Sequence, residues 1–388
     1  MAAELNTYLT DSNLFSSLQS AYRRCHSVET ALLRVANDFL LALDKGNEVL
    51  LVLLDYTAAF DTVNHSILLH RLEHRFGISG TVLCWLKSYL YDRSQYVKVD
   101  GFDSSSISLN YGVPQGSVLG PLLFTLYVSP IEDIIKYHGL DAMFYTADTQ
   151  IYIALNAKER STDLQRLEKC AADIKSWSVE NFLILNDSKT EILHVFPNFS
   201  RNLPRTLEVK VSNSTILPQG QVKDLGVFFD KHMNLKSHIS SICISASFAL
   251  RNIGKIRKHL DRATTERLVR AFVSSRLDNC NSMLFGLPLY QIERLQRIQN
   301  TAASVVTPSS IKEHITPILN DLHWLIIHNR IKFKILLLTY KVLNGFAPKY
   351  LSELIQPFKN QRKLRSNNQY LLRVPKSRTT TFGDRAFS

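Results

Sequence analysis

The sequence lacks the features of a secreted, membrane-spanning or disulfide-stabilised protein. Its five cysteines are odd in number and scattered, without a Cys-x-x-Cys pair, so neither a disulfide framework nor a zinc site is expected. The apolar run VLLVLL from Val49 is far shorter than the roughly 20 residues of a membrane span. The start, MAAELNTYLTDSN, has no signal-peptide pattern. These absences predict an intracellular protein, in the cytoplasm, the nucleus or both, that is not secreted and has no membrane partner.

The net positive charge is concentrated toward the C-terminal end of the chain. The formal net charge is +12 over 388 residues. Residues 251–300 hold ten Lys/Arg against four Asp/Glu, a net of +6, and residues 357–388 hold eight against one, a net of +7. The rest of the chain, 12 less 13, therefore carries −1. We expect this distribution if the C-terminal third follows a phosphate backbone; the alternative is that the basic residues only solvate helix faces.

The hydrophobic pattern predicts a mixed α+β body up to about residue 235. Short continuous apolar runs are typical of buried strands, and apolar residues at helical spacing are typical of amphipathic helices. The predicted elements are helices over 27–44, 65–76, 80–91 and 161–181, a helix from near Gly120-Pro121, a strand over 49–54, a hairpin over 143–155, and strands around 190–196, 206–211 and 224–229. Asp100-Gly101 predicts a two-residue hairpin turn.

From His238 onward the pattern predicts helices. Asn344-Gly345 is the predicted stop of the helix in IKFKILLLTYKVLNG. The predicted core-facing stripe of the first helix consists of Ile242, Phe248, Ile253, Ile256 and Leu260. The last roughly 30 residues have little helical or strand patterning, and we expect them to be loosely ordered.

Two aspartates stand where apolar runs end. Asp148 lies in MFYTADTQIYIAL, between two strand-like runs, and Asp55 follows the predicted strand at 49–54, six residues before Asp61. An aspartate in such a place either turns the chain or holds a metal ion, and capping or turning is the more frequent role for one acid alone. YGVPQGSVLGPLLF, from Tyr111, predicts a rigid turn around Gln115 that a ligand can approach closely, or an ordinary strand-to-helix loop.

Five segments in order suggest one family. They are LLDYTAAFDTVNH, GVPQGSVLGPLLF, FYTADTQIY, LNDSKTEIL and VKDLGVFFD, accompanied by HSVETALL, SRLDNCNSMLFGLP, HITPILNDLHW and LLTYKVLNGFAPKYL. Together they resemble the reverse transcriptase of non-LTR (LINE-type, jockey-like) retrotransposons, from about residue 15 to the end of the chain.

The resemblance implies an α+β fold with a right-hand polymerase-like palm, an antiparallel sheet with packed helices, and partial fingers, followed by a mostly helical thumb. The domains it implies are partial fingers over 1–45, the palm with finger insertions over 46–235, a helical thumb-like domain over 236–356 and a basic tail over 357–388. The basic thumb helices would follow the phosphates of the bound duplex.

The resemblance also implies a role for individual residues. Asp55 matches the first metal-binding carboxylate, and Lys189 the lysine that assists the leaving pyrophosphate. Phe60 matches the residue beneath the incoming sugar, and Gln115 and Gly116 the turn that contacts nucleotide and template. Leu225 and Gly226 match the primer grip. The implied partners are an RNA template, a DNA primer or duplex and deoxynucleotide triphosphates, with Mg²⁺ or Mn²⁺ as cofactor.

The hairpin tip departs from the family pattern. The family carries Tyr-Ala-Asp-Asp there, and a gap-free alignment places Tyr145-Thr146-Ala147-Asp148 on it, so that Ala147 replaces the first aspartate. An alternative alignment inserts Thr146 and deletes one acid, and it also leaves a single carboxylate. A methyl group cannot ligate magnesium, and two ions held close together then have one negative charge fewer to offset their repulsion. We therefore expect catalysis to be impaired, with Asp55 and Asp148 as the remaining metal ligands.

The resemblance further suggests a fragment of a degraded element, because the expected fingers segments and endonuclease do not precede the matched motifs. Three hypotheses follow. The chain is a reverse transcriptase by descent with impaired catalysis, or a weakly active polymerase that uses Asp55, Asp148 and Asp61, or a non-catalytic nucleic-acid-binding remnant.

Overall fold

A computed structural model describes residues 1–197, 207–211, 214–307, 314–358 and 371–388. Its helices are α1 Ala2–Asp11, α2 Val28–Asp44, α3 His65–His74, α4 Gly80–Leu90, α5 Gly120–Val128, α6 Ile131–Tyr137, α7 Arg160–Glu180, α8 Lys236–Ile256, α9 Arg262–Val269, α10 Ser275–Asp278, α11 Leu289–Val306, α12 Ile315–Asp321, α13 Ile327–Leu343 and α14 Lys349–Ser352. Its strands are β1 Glu48–Leu54, β2 Tyr56–Thr57, β3 Arg93–Gln95, β4 Lys98–Val99, β5 Phe102–Asp103, β6 Ile107–Leu109, β7 Asp141–Tyr145, β8 Asp148–Leu155, β9 Ile184–Leu185, β10 Glu191–Val195, β11 Val209–Val211, β12 Ser214–Ile216, β13 Gln221–Asp224 and β14 Val227–Asp230.

The described residues form two compact units. The first comprises Met1–Ser27, Val49–His194 and the described part of Asn202–Gln219. The second comprises Val28–Glu48 and the described parts of Val195–Arg201 and Gly220–Ser388. This division does not follow the predicted domain boundaries, because α2 groups with the C-terminal helices. The functional domains therefore stay a prediction.

The first unit is built on a four-stranded sheet in the order β10-β1-β8-β7. β7 and β8 are antiparallel, and Tyr145 pairs with Asp148 at their tip. β1 is almost wholly buried, as its continuous apolar sequence predicts. α5 and α7 contribute to the apolar core around this sheet through Leu123, Phe124 and Ile174, which are almost inaccessible to solvent. The sheet therefore holds its strand ends rigidly, including the positions of both candidate aspartates.

Several local predictions are confirmed in this unit. Asp100 and Gly101 have positive φ angles of 50° and 89° and join the antiparallel strands β4 and β5. This is the conformation that a two-residue primed turn requires. α5 begins at Gly120, with Pro121 in its first turn. The mixture of helices and antiparallel pairs confirms the α+β class.

The second unit is mostly helical, and two expectations for it are wrong. Phe248 and Ile256 of the predicted core stripe are exposed, at 63% and 47% of their surface, whereas Ile242 and Ile253 are buried. The reason is that α11 and the hairpin β13–β14 pack against α8 and cover only part of the apolar face that the sequence predicts.

The end of the chain is also not loosely ordered where it is described. The Asp44 carboxylate accepts hydrogen bonds from the backbone N–H groups of Arg378 and Thr379 at 2.9 and 2.7 Å. Phe382 is buried, and Arg385 donates to the carbonyl oxygen of Met233 at 2.9 Å. These contacts join residues far apart in sequence, so local patterning does not reveal them. No helix among the described residues is long and apolar enough to span a membrane.

Candidate active site

Asp55 stands at the carboxyl end of the buried strand β1. Its side chain is one-third exposed, and Oδ2 lies 3.4 Å from Nζ of Lys189. Oδ2 is itself shielded from solvent and has no hydrogen-bond partner among the residues that the structure describes. A buried carboxylate oxygen without a hydrogen bond is costly unless a cation compensates it. Lys189 supplies part of that compensation.

The short pair β2–β9 positions Lys189. Tyr56 pairs with Leu185, and the Asn186 N–H then donates to the Asp55 carbonyl oxygen at 2.9 Å. The chain turns at once, since the Lys189 N–H donates back to the Asn186 carbonyl oxygen at 3.1 Å. This turn brings the ammonium group to the Asp55 carboxylate.

A two-residue turn, Thr146 and Ala147, forms the tip of the β7–β8 hairpin. Thr146 has φ +60°, and its N–H donates to Oε1 of Gln19 at 3.1 Å. A β-branched residue in the left-handed region is strained, so surrounding contacts must hold this turn. Ala147 is half-buried and packs against the core. The position that the gap-free alignment gives to the first aspartate is therefore a half-buried part of the turn, occupied by a methyl group.

Asp148 follows the turn and interacts with Asp55. Its side chain reaches solvent. Loss of hydration in the site and, secondly, the negative charge of Asp55 raise the pKa of Asp148 above its ordinary value. The hairpin and β1 therefore bring two carboxylates into one electrostatic site. A divalent cation between them would relieve the repulsion that raises this pKa.

These two carboxylates fit one hard cation better than a pair of ions. Within the described ranges, no three His, Cys, Asp or Glu side chains are grouped so that they could share a metal. Asp61 does not join the pair, because its carboxylate accepts hydrogen bonds from Nε2 of Gln115 at 3.1 and 3.2 Å. This disagrees with the hypothesis that Asp61 is a third ligand.

The turn around Gln115 is held against the backbone of Phe60 and Asp61. The Val113 N–H donates to the Phe60 carbonyl oxygen at 2.8 Å. Gly112 has φ +88°, and a Cβ there would lie 3.0 Å from the Asp61 carbonyl oxygen. Only glycine fits such an approach. The two candidate segments at Asp61 and Gln115 are 54 residues apart in sequence, and they are in direct contact in the fold.

The side chains of this region differ in how they are held. The Phe60 ring lies 5.0 Å from that of Phe124 in α5, which fixes it at the edge of the core. Gly116 has φ +77°, and nothing lies within 4 Å of where its Cβ would stand. The turn thus presents bare backbone on one side, where a ligand could approach closely.

Leu225 and Gly226 belong to the second unit. They form the turn between β13 and β14, with φ angles of +44° and +90°. Positive φ at both positions is the geometry of a tight hairpin, which normally selects Asn-Gly. A leucine in the left-handed region breaks this local preference, as happens at positions retained for contact with a ligand.

A cleft of about 610 Å³ beside Gln115 was not expected from the sequence. Tyr89, Arg93 and Tyr111 line it together with Asp61 and Gln115. The available signal was the spacing of Trp85 and Tyr89, four residues apart in the predicted helix over 80–91, which places both rings on one helix face.

Paired carboxylates at the end of a sheet, with a lysine and a glycine-rich turn, suit the class of metal-dependent nucleotidyl-transfer enzymes. Residues 1–229 match the family described as reverse transcriptase (RNA-dependent DNA polymerase), and the chain belongs to this family. The predicted family and polymerase-like palm are confirmed by this membership.

Known relatives support the same assignment. The probable RNA-directed DNA polymerase from transposon BS of Drosophila melanogaster is 26% identical over 83% of this chain and 36% of that protein. The polymerase from mobile element jockey of Drosophila funebris is 28% identical over 61% of this chain and 26% of that protein. These are non-LTR elements, as the motifs predicted. The chain thus spans about a third or less of the length of these relatives.

Solved telomerase structures are more distant. The apo enzyme from Candida tropicalis gives a TM-score of 0.46 at 11% identity, over 85% of this chain and 53% of that one. The Candida albicans enzyme, in complex with a fragment of telomeric RNA, gives a TM-score of 0.41 at 13% identity, over 86% of this chain and 54% of that one.

Proposed function

We propose that this chain is an RNA-directed DNA polymerase domain that binds an RNA template and a DNA primer but has lost most of its catalytic rate. The observation that carries the proposal is the hairpin tip. Ala147 occupies a fixed position of the turn, beside a pair of acids that no third acid joins within the described ranges. The family relation supports the polymerase, and the tip supports the impairment.

Asp55 and Asp148 would hold Mg²⁺ or Mn²⁺. The ion, when bound, stabilises the charge that develops on the attacking and leaving oxygens of the transferred phosphate. Oδ2 of Asp55 has no hydrogen-bond partner among the described residues beside its ion pair with Lys189, and the pKa of Asp148 is raised; both features fit a cation at this place. Lys189 would offset negative charge on the leaving pyrophosphate, since its exposed ammonium group is already held beside Asp55.

The remaining residues position the reactants. Phe60 would limit the space beneath the incoming sugar, because its ring is braced by Phe124. Gln115 and the open backbone at Gly116 would contact the deoxynucleotide triphosphate and the template base. The Leu225–Gly226 turn would contact the primer.

The absent carboxylate determines the expected rate. Losing a principal ligand should cost several kcal/mol of transition-state stabilisation, which corresponds to about a thousandfold or more in rate. A surviving enzyme would work slowly with Asp55 and Asp148 alone.

A second candidate function is nucleic-acid binding without synthesis. Exposed basic side chains at Arg251, Lys255, Lys258 and Arg267 favour it, since none has an ion-pair partner among the described residues. Either function would be carried out inside the cell, with access to the nucleus if the family reaction at chromosomal DNA is retained.

Primer extension tests the proposal. The unaltered chain and an Ala147→Asp variant would be given poly(A), oligo(dT), dTTP and either Mg²⁺ or Mn²⁺. We expect little or no synthesis from the unaltered chain and at least a hundredfold more from the variant, because a third carboxylate restores the ligand set. An Ala147→Asn variant has nearly the same size without the charge and should stay inactive.

Rapid synthesis by the unaltered chain would contradict the impairment. If neither protein synthesises DNA but both still bind the primer–template, the result would instead favour nucleic-acid binding without synthesis.

A further inference from the structure

Three side chains form a ladder on the surface of the first unit. The rings of Trp85 and Tyr89 in α4 are stacked, with centroids 5.6 Å apart and planes inclined by 11°. The Arg93 guanidinium carbon lies 5.7 Å from the centroid of the Tyr89 ring. Trp85, at the outer end, exposes 41% of its surface. Stacking on Tyr89 orients the Trp85 ring, and part of that ring remains exposed. The exposed part can stack against an aromatic ring or base of a ligand.

The ladder runs into the cleft beside Gln115. Tyr89 and Arg93 line this cleft together with the polar residues Gln95, Ser108 and Asn110. Asp61 and Gln115 line it as well, so the cleft opens beside the turn assigned to nucleotide and template. Its volume of about 610 Å³ accommodates a nucleotide.

His65 forms part of the wall of the cleft. Nε2 of His65 lies 2.7 Å from the Gly112 carbonyl oxygen, so that this nitrogen must donate a proton. Nδ1, the other ring nitrogen, has no hydrogen-bond partner among the described residues, and the residue exposes only 4% of its surface. Nδ1 is itself closed to solvent, so the part of His65 in the cleft wall is its hold on the Gly112 carbonyl group.

We propose that Trp85, Tyr89 and Arg93 form a stacking platform for the unpaired part of the RNA template, which enters the cleft toward Gln115. This inference rests on the proposed function and names the strand and its path. A template has any sequence, and stacking on aromatic rings tolerates any base because every base has a π-face.

A single-stranded occupant fits better than the alternatives. Bases in a duplex already stack on each other and do not present free faces to a tryptophan. A protein partner would favour an apolar surface, whereas much of this cleft is lined by amide and hydroxyl groups and a guanidinium.

The test compares two ligands on the full chain by fluorescence anisotropy. One is an RNA–DNA duplex with an unpaired 5′ extension of the RNA template, and the other is the same duplex with blunt ends. We expect Trp85→Ala to weaken binding of the extended ligand about tenfold and leave the blunt one unchanged, as the loss of one stacked base predicts. Trp85→Phe should restore most of the affinity.

Tyr137→Ala is the matched control, because it removes an aromatic residue of the same unit that is 82% exposed and lies on α6, outside the cleft. It should bind both ligands like the unaltered chain. A photoreactive 5-iodouracil placed at successive template positions then maps the contact. Cross-links to Trp85 or Tyr89 are expected from the unpaired extension and not from the duplex.

Equal loss of both ligands in Trp85→Ala, or unchanged binding of both with no cross-link to the ladder, would overturn the inference. A change in oligomeric state on sedimentation, without a change in RNA affinity, would assign the ladder to a protein contact and also overturn it. The proposed function fails in a different way, when the unaltered chain binds neither ligand.

Discussion

The pKa of Asp148 reports on its surroundings in the candidate site. Its pKa is raised first by lost hydration and then by Asp55, so its ionised form is disfavoured in the folded protein. An acid with a raised pKa costs stability as the pH rises from its ordinary value, near 3.8, through its higher folded value. The cost is fully present once the pH exceeds the folded pKa, and in acid it disappears.

Asp148→Asn should therefore raise the melting temperature at pH 7 and leave it unchanged at pH 3, where Asp148 is protonated. Asp100→Asn is the control, since it removes an exposed acid at another hairpin turn of the same unit and keeps the turn chemistry. Calorimetry at both pH values measures the effect. Destabilisation by Asp148→Asn at pH 7 would mean that the two carboxylates do not repel each other.

The hairpin tip and the contact between Asp61 and Gln115 show which features of single residues the sequence can predict and which it cannot. The acid at the tip was identified from its flanking strands, and the structure places it beside Asp55. The hydrogen bond between Asp61 and Gln115 was not foreseen, because both residues lie in loops and only the folded turn brings them together. Sequence spacing predicts which strand end carries an acid, but not which acid a neighbouring amide engages.

Among whole elements, those with local signals were predicted well. Strand β1 and the Asp100–Gly101 turn follow from an apolar run and a turn dipeptide. The expectation for the end of the chain was wrong for residues 371–388, because their order depends on Asp44 and Asn37, more than 300 residues away in sequence; residues 359–370 lie outside the described ranges. The sequence pattern within the segment gives no sign of such distant partners.

Asp44→Ala should destabilise the second unit by about 3 kcal/mol, since several donors lose a charged acceptor at once. Desolvation opposes ionisation of Asp44, but hydrogen bonds from Arg378, Thr379 and Gly383 hold its pKa below the ordinary value. The contribution is therefore present above about pH 4 and lost as the pH falls through the folded pKa.

Urea unfolding at pH 7 and limited trypsin digestion measure this effect, with faster cleavage expected after Lys376 or Arg378. Lys45→Ala is the control, because its backbone carbonyl remains available to Arg378. Equal stability of Asp44→Ala and the unaltered chain would show that the contacts contribute nothing.

At the scale of the whole molecule, the charge distribution makes a prediction of its own. Several basic residues of 251–300 serve structure, such as Arg257, which donates to the carbonyl oxygens of Val305 and Leu260. Lys255 and Lys258 are exposed and have no such partner among the described residues. The excess of positive charge is thus partly structural and partly available to a ligand.

If Lys255 and Lys258 contact phosphates, replacing both with glutamine should lower the slope of log affinity against log salt concentration by about 2. Fluorescence anisotropy with duplex DNA at a series of salt concentrations measures the slope. Lys158→Gln, an exposed lysine of the first unit, should leave it unchanged. An unchanged slope in the double variant would mean that these lysines only solvate their helix.

The central claim is that Ala147 leaves a metal site one ligand short. Titration with Mn²⁺, followed by electron paramagnetic resonance of the free ion, compares the unaltered chain with Ala147→Asp at pH 7. We predict one weak site in the unaltered chain and at least tenfold tighter binding in the variant, because the added carboxylate supplies both charge and a ligand oxygen. Equally tight binding by both proteins, or two ions bound by the unaltered chain, would contradict the account.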